Sequence, residues 1–207
     1  SGMGNACRVI PVGIPGSSRE YFDGKKKGSG ALDTRGRDSG NMSQGCSLRP
    51  ADWEDVDLLF SWANDTEVRK NSFSTEPIRY EEHQAWFRKK YQEKHSKIYI
   101  FCEEGQEKGM LRLDFHGNEA EISYSIAPGE RRKGYGEKLI LLAEKEACKT
   151  FQEMGEGIPN REAHGHRAVV RARVKEDNLA SNRIFTKLGY EKCEGEYKKI
   201  LDPAKSY

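Results

Sequence analysis

The chain lacks any long apolar run. Nothing in its 207 residues approaches the roughly 18 consecutive apolar residues of a bilayer-spanning helix, so a membrane span is excluded. Its start also lacks the apolar segment of about 7 to 15 residues that marks a secretory signal. Cysteine is sparse and odd in number, five in all, with no C-x-x-C spacing. That pattern argues against a disulfide framework and a zinc site, so no metal is expected, and a reducing cytoplasm is the default compartment. An excess of one charge is missing too. The 35 Lys and Arg against 33 Asp and Glu leave only +2, too little to imply a nucleic-acid partner. Charge as such is plentiful, at 33% of residues with a mean hydropathy of -0.87. That is the balance of a soluble protein long enough for one substantial domain.

The charge is unevenly spread. Residues 1 to 46 hold seven Lys and Arg against four Asp and Glu, and ten of the 21 glycines. Their one apolar patch, Val9 to Ile14, is interrupted by Pro11 and Gly13, and so little apolar surface cannot offset the ordering entropy. We read residues 1 to 46 as a glycine-rich, basic extension: Ser1-Gly2 looks like a leftover of expression cloning, and Met42 offers an alternative start. Met3-Gly4-Asn5-Ala6-Cys7-Arg8 is similar to a myristoylation start but lacks its later Ser or Thr. The folded domain is expected over 47–207.

Within that domain Ser47 to Pro50 reads as a short strand stopped by proline. Asp52 can cap a helix carrying Val56, Leu59, Phe60 and Ala63 at helical spacing, ended by Asn64-Asp65. Val68 to Pro77 reads as a polar connection. A second helix runs from Tyr80 to about Lys94, with His83, Trp86, Phe87 and Tyr91 along one side. Three strands follow, Lys97 to Glu103, Lys108 to Phe115 and Glu119 to Ile126, turned by Gly105 and Gly117-Asn118 into an antiparallel meander. A strongly amphipathic helix then leads to a Gly- and Pro-rich loop over 155–165. The strand Ala168 to Val174, a helix with Ile184, Phe185 and Leu188 ended by Gly189, and a last strand over Tyr190 to Ile200 complete the order.

The stretch from Glu119 to Phe151 organises the rest. A strand gives way to a Pro-Gly turn, then to Arg131-Arg132-Lys133-Gly134-Tyr135-Gly136 at the start of the amphipathic helix. Glycines there allow close backbone approach, the unpaired first-turn amides suit phosphate oxygens, and three cations stand beside them. The alternative is a basic turn before an ordinary surface helix. Arg131 through Gly136 resembles the R/Q-x-x-G-x-G/A signature of the GNAT superfamily of acetyl-CoA-dependent N-acetyltransferases. The resemblance covers about Ser47 to Glu196. It implies an α/β (α+β) fold, with a central mixed, mostly antiparallel sheet of about six to seven strands flanked by about four helices. It also implies acetyl-CoA as co-substrate, its pyrophosphate held at this loop, and, as for many relatives, a homodimer.

A second match lies in Asn178-x-x-Ser181-x-x-x-Phe185-x-x-x-Gly189-Tyr190, similar to the family's N-x-x-A/S-x-x-x-Y-x-x-x-G-F/Y segment. There the Asn and small residue face pantetheine and the aromatic lies near the thiol. Asn178 also reads as a helix N-cap. Phe185 departs from the Tyr that often serves as general acid, because it has no proton to give. Tyr124 and Ser125 are candidates to take over that role, although Tyr124 also reads as a strand aromatic filling the core. The backbone from Tyr124 to Ile126 would pair with pantetheine and meet the oxyanion. A carboxylate or His must remove the amine's proton: Glu121 leads, followed by His83 and Glu76. Glu121 reads equally as an outward strand residue paired with a lysine, and His83 as a hydrogen-bonded packing residue. Cys102, Cys148 and Cys193 read as small core residues.

The segment Trp62 to Ile78, continuing into Glu81-Glu82-His83-x-x-Trp86-Phe87, resembles the acceptor region of a narrower group. Those enzymes acetylate UDP-linked amino-dideoxy sugars, as in pseudaminic acid type pathways. The likeness places Arg69, Lys70 or Asn71 near a nucleotide diphosphate, Phe73 and Trp86 against ring faces, and Glu76 in the acceptor pocket; a solvated loop and a packed helix face are the alternatives. A protein N-terminal amine or a small amine remains open as acceptor. So does a non-catalytic coenzyme A-binding module. A peptide predicts an open groove between 62–80 and 155–166; a nucleotide sugar predicts a closed pocket with cations.

Overall fold

A computed structural model describes residues 45–155 and 167–202. The expected extension over 1–46 therefore lies almost entirely outside the described residues, as does nearly all of the 155–165 loop. Strand β1 (Cys46–Pro50) ends at its proline, and a 3-10 turn (Trp53–Asp55) leads into α1 (Val56–Ala63). The entry is capped from both sides. The Asp52 carboxylate accepts from the Glu54 amide at 2.9 Å and the Asp55 carboxylate accepts from the Asp52 amide at 2.8 Å. Arg49 then donates two bonds to Asp55, at 2.8 and 2.7 Å, fastening strand to turn.

The segment expected as a plain connection contains a short helix, α2 (Thr66–Asn71), because Asp65 does more than end α1. Its carboxylate accepts from the amides of Glu67 (3.1 Å) and Val68 (3.2 Å) and so starts a new turn. Next come α3 (Tyr80–Gln92) and the meander β2 (Ser96–Glu103), β3 (Gln106–His116) and β4 (Glu119–Ile126). Then follow α4 (Tyr135–Gly155), β5 (Ala168–Arg173) and α5 (Leu179–Lys187). The single last strand expected over 190–200 is instead a hairpin of β6 (Glu191–Cys193) and β7 (Glu196–Leu201). Glu194 and Gly195 turn it with φ of 49° and 81°, a conformation glycine adopts without steric cost.

The strands form one seven-stranded sheet in the order β1-β2-β3-β4-β5-β7-β6, antiparallel except for the β4–β5 pair. Both faces are covered. Tyr99, Phe101, Leu111, Leu113 and Ile122 pack with α4 residues Leu139, Ile140, Ala143 and Ala147. Ile98, Ile100 and Cys102 alternate to the opposite face, against Leu59 and Trp62 of α1 and Phe87 of α3. Strand β2 is thus buried on both sides, which is why it reads as a continuous apolar run. Cys193, expected in the core, is exposed because β6 is the outermost strand.

One feature of the sheet positions the cleft. Parallel pairing of β4 with β5 covers only Glu119 to Glu121 against Val169 to Arg171. Beyond that point the two strands part, whereas β3 stays paired to β4 as far as Gly109 with Ile126. Gly109 permits this closeness, since a β-carbon there would meet the Ser125 carbonyl oxygen at 2.4 Å. The β5-facing backbone groups of 122–126 consequently lack a strand partner.

Candidate active site

The parting strands open a cleft of about 960 Å³, bounded by β4, the start of α4, β5, α5 and α2. Of the residues expected at the cofactor, Ile126, Arg131, Arg132, Gly134, Tyr135, Gly136, Asn178, Ser181 and Phe185 line it. Gly129, Arg132 and Gly134 take φ of 80°, 65° and 82°. Left-handed residues of this kind help turn successive amides toward an anion, here at the start of a 21-residue helix. The residues present fit a diphosphate.

The three cations of the loop have different assignments. Lys133 lies outside the cleft lining and donates to Glu130 at 2.8 Å. Glu130 is also held by the nearly buried Lys108 at 3.1 Å, which braces the loop from β3. Arg131 donates through Nη2 to Asp65. Arg132 has no carboxylate partner among the described residues, so its whole guanidinium is open to the cleft, whereas Arg131 has only Nη2 engaged. The two glycines also differ in purpose. Gly134 has open space around it and is needed for its positive φ, whereas a β-carbon on Gly136 would meet Ile184 Cδ1 at 2.7 Å and Tyr124 Cε2 at 3.7 Å. Tyr135 packs edge-on against Phe101 at 5.9 Å. A hydrogen bond to Glu103, together with burial, pushes its hydroxyl pKa up to about 12.

On the α5 side Asn178 caps the helix, its Oδ1 accepting from the Ser181 amide at 3.2 Å. Ser181 Oγ in turn lies 2.9 Å from Tyr124 Oη. Phe185 is fully buried, edge-on to Tyr124 at 6.1 Å and to Tyr190 at 4.9 Å, and stacked on Tyr197 at 5.3 Å. Burial raises the Tyr124 pKa against the opposing effect of the Ser181 bond, so the hydroxyl keeps its proton. The position that Phe185 leaves without a proton thus has a tyrosine hydroxyl beside it, delivered from the neighbouring strand.

The other face of β4 carries Glu121, Ser123 and Ser125, all lining the cleft. Glu121 is paired with arginine rather than lysine: Arg173 at 3.0 Å and Arg171 at 3.6 Å. Ser123 Oγ accepts from Arg112, which also pairs with Asp114 at 2.7 Å. Asn71 and the exposed ring of Phe73 complete this side, with the Arg173 guanidinium 5.6 Å from the Phe73 ring centre.

Besides Lys133, the expected residues His83, Trp86, Arg69, Lys70 and Glu76 do not reach the cleft lining. His83 is buried between Phe60 and Trp86, each at 5.5 Å, and that apolar setting lowers its pKa. Trp86 packs on His83 and under Arg112. Arg69 folds back on its own segment, donating to Ala63 O at 2.7 Å, Ser74 O at 3.1 Å, Glu76 O at 3.3 Å and Ser72 Oγ at 3.0 Å, which also fixes the backbone of Glu76. Glu76 itself lies outside the lining. Conversely, Glu67, Val68, Arg112, Ser123, Arg173 and Ile184 line the cleft without having been singled out. Strand alternation signals the first arginine and the serine; the parting of β4 and β5 has no local signature.

The description of the acetyltransferase (GNAT) domain matches residues 46–191. Among solved structures, the chain is similar to spermidine N-acetyltransferase from Vibrio cholerae in complex with CoA and spermine: 13% identity, 76% of this chain and 96% of that one, TM-score 0.64. It is also similar to the acetyl transferase from Salmonella typhimurium that modifies the N-terminal serine of ribosomal protein L7/L12, at 16% identity, 77% and 97% coverage and TM-score 0.58. A domain from Methanocaldococcus jannaschii matches at 21% identity, 75% and 98% coverage and TM-score 0.61. No curated protein matches the sequence significantly. The fold is that of the acetyltransferases, and the chain belongs to the GNAT acetyltransferase domain family: it is an acetyl-CoA-dependent N-acetyltransferase. Among the described residues no group of His, Cys, Asp or Glu is placed to hold a metal, and no helix is long and apolar enough to cross a membrane.

Proposed function

We propose that the enzyme acetylates the amino group of a UDP-linked amino-dideoxy sugar. The observation that carries this reading is the acceptor wall. The Phe73 ring stands 69% exposed with a guanidinium against it, and Arg112 and Arg173 both line the same cleft. A ring face beside cations suits a planar base and a diphosphate.

Acetyl-CoA, when bound, supplies an acetyl thioester and departs as a thiol. The loop from Gly129 to Gly136 and Arg132 bind its phosphates. The β5-facing backbone of 122–126 orients it and offers N–H groups to the developing oxyanion. Tyr124 Oη, backed by Ser181 Oγ, holds the proton that the departing sulfur needs, with Ser125 the other hydroxyl on this strand. Glu121 stands at the last paired position before the strands part and accepts the amine's proton through water, with Arg171 and Arg173 fixing its orientation. Among the described residues Cys46, Cys102, Cys148 and Cys193 are free thiols, which accords with a cytoplasmic setting. We assign the catalytic domain to 47–207.

A second reading, a small polyamine or a protein N-terminal amine, draws support from the Vibrio cholerae and Salmonella typhimurium neighbours and from Glu67 and Glu121 in the cleft. Mass spectrometry of products from acetyl-CoA with a UDP-amino sugar, spermidine and an N-terminal peptide separates them. Acetylation of the sugar nucleotide alone is expected; acetylation of spermidine or peptide in preference would overturn the assignment.

A further inference from the structure

Helix α2 forms one wall of the acceptor side through Glu67, Val68 and Asn71, yet none of its residues is buried. Apolar burial therefore does little to hold it in place, and beyond the bonds of Arg69 within its own segment its position rests on polar ties to other elements. On one side Lys175 Nζ donates to Lys70 O at 2.8 Å. On the other, Asp65 Oδ1 gathers the amides of Glu67 and Val68 together with Nη2 of Arg131. That last donor belongs to the phosphate loop. Arg131 has further N–H donors on Nε and Nη1 with no partner among the described residues, and the residue lines the same cleft.

We propose that Asp65 is a positioning residue that ties the acceptor wall to the cofactor's phosphates through Arg131. A phosphate on the free edge of the Arg131 guanidinium fixes that fork in place. The fork fixes the Asp65 carboxylate, and the carboxylate fixes the first turn of α2, so that the acceptor wall is ordered once acetyl-CoA is in place. Because linkage is reciprocal, an acceptor resting on α2 tightens the cofactor by the same factor. The inference rests on the acetyl-CoA site described above and is independent of which amine is acetylated.

Amide hydrogen exchange on the full chain, with and without coenzyme A, tests it. In the wild type, coenzyme A should slow exchange both in the loop 131–136 and in 67–71, the latter by about tenfold, within the usual range of coupling between sites. Asp65→Asn keeps a good N-cap but removes the charge that holds Arg131. It should bind coenzyme A with at most a few-fold loss while the effect on 67–71 disappears. Arg131→Gln should lose that effect as well. A purely structural role for Asp65 predicts a different result: faster exchange in 67–71 without ligand and an undiminished response to coenzyme A. That result overturns the proposal, as does a wild type in which the loop is protected and 67–71 is not. Absence of protection in the loop itself would overturn the cofactor assignment along with it.

Discussion

Tyr124 and Ser181 share a hydroxyl contact of 2.9 Å at the wall of the cleft, next to a phenylalanine that fills the position where a proton donor is expected. The Tyr124→Phe variant removes one oxygen and leaves the ring packing on Phe185 intact. It should lower kcat by roughly 10² or more, the usual value of general-acid help, with coenzyme A affinity unchanged in a direct titration. An unaltered kcat would assign the proton to Ser125. Burial raises the Tyr124 pKa, so the protonated, active form persists upward in pH. The alkaline fall of kcat should accordingly come above the ordinary tyrosine value of about 10. For Glu121→Gln a kcat lower by roughly 10² is expected with coenzyme A affinity unchanged; an unchanged kcat would remove Glu121 as base. The departure at Phe185 was legible in the sequence, and so were the candidates to replace it. Which of them reaches the α5 side was not, because that depends on the side of the sheet to which each alternate residue points. The same limit applies to His83: its helical spacing shows that it faces an apolar surface, and only the packing of α1 shows that the surface is closed.

At the scale of elements, the strand-turn-helix setting of residues 119–151 was readable, but the glycines had a division of labour that spacing does not reveal. Gly134→Ala places a β-carbon at φ of 82° with no neighbour in its way and should cost about 1 to 2 kcal/mol in denaturant unfolding through backbone strain. Gly136→Ala instead presses on Ile184 Cδ1 at 2.7 Å and approaches Tyr124. The Ile184 tip is the end of a flexible side chain, so the stability loss should be only about 1 kcal/mol, while kcat should fall by more than that destabilisation explains. Helix α2 was missed because five of its six residues are polar and none is buried. Its only local sign is Asp65, which the same sequence presents equally well as the end of α1.

The described residues form a sheet with helices on both faces, and the cleft opens at the one place where β4 and β5 part. Alternation and turn residues suffice for the strands and their order as far as the hairpin of β6 and β7. The parting of β4 from β5 is a product of which residues stay paired, with Glu121 and Arg171 the last pair, and no single residue announces it. Ligand linkage gives a global check. Coenzyme A at 100 times its Kd should stabilise the fold by about 2.7 kcal/mol, which raises Tm by roughly 5 to 10 °C for a domain of this size. The most direct test of acetyl transfer at this cleft is continuous measurement of thiol released from acetyl-CoA, with and without a UDP-linked amino sugar. Release that requires the sugar and matches acetylated product one for one is the expected result. Coenzyme A binding with no amine-dependent release, on this or any other amine, would contradict it.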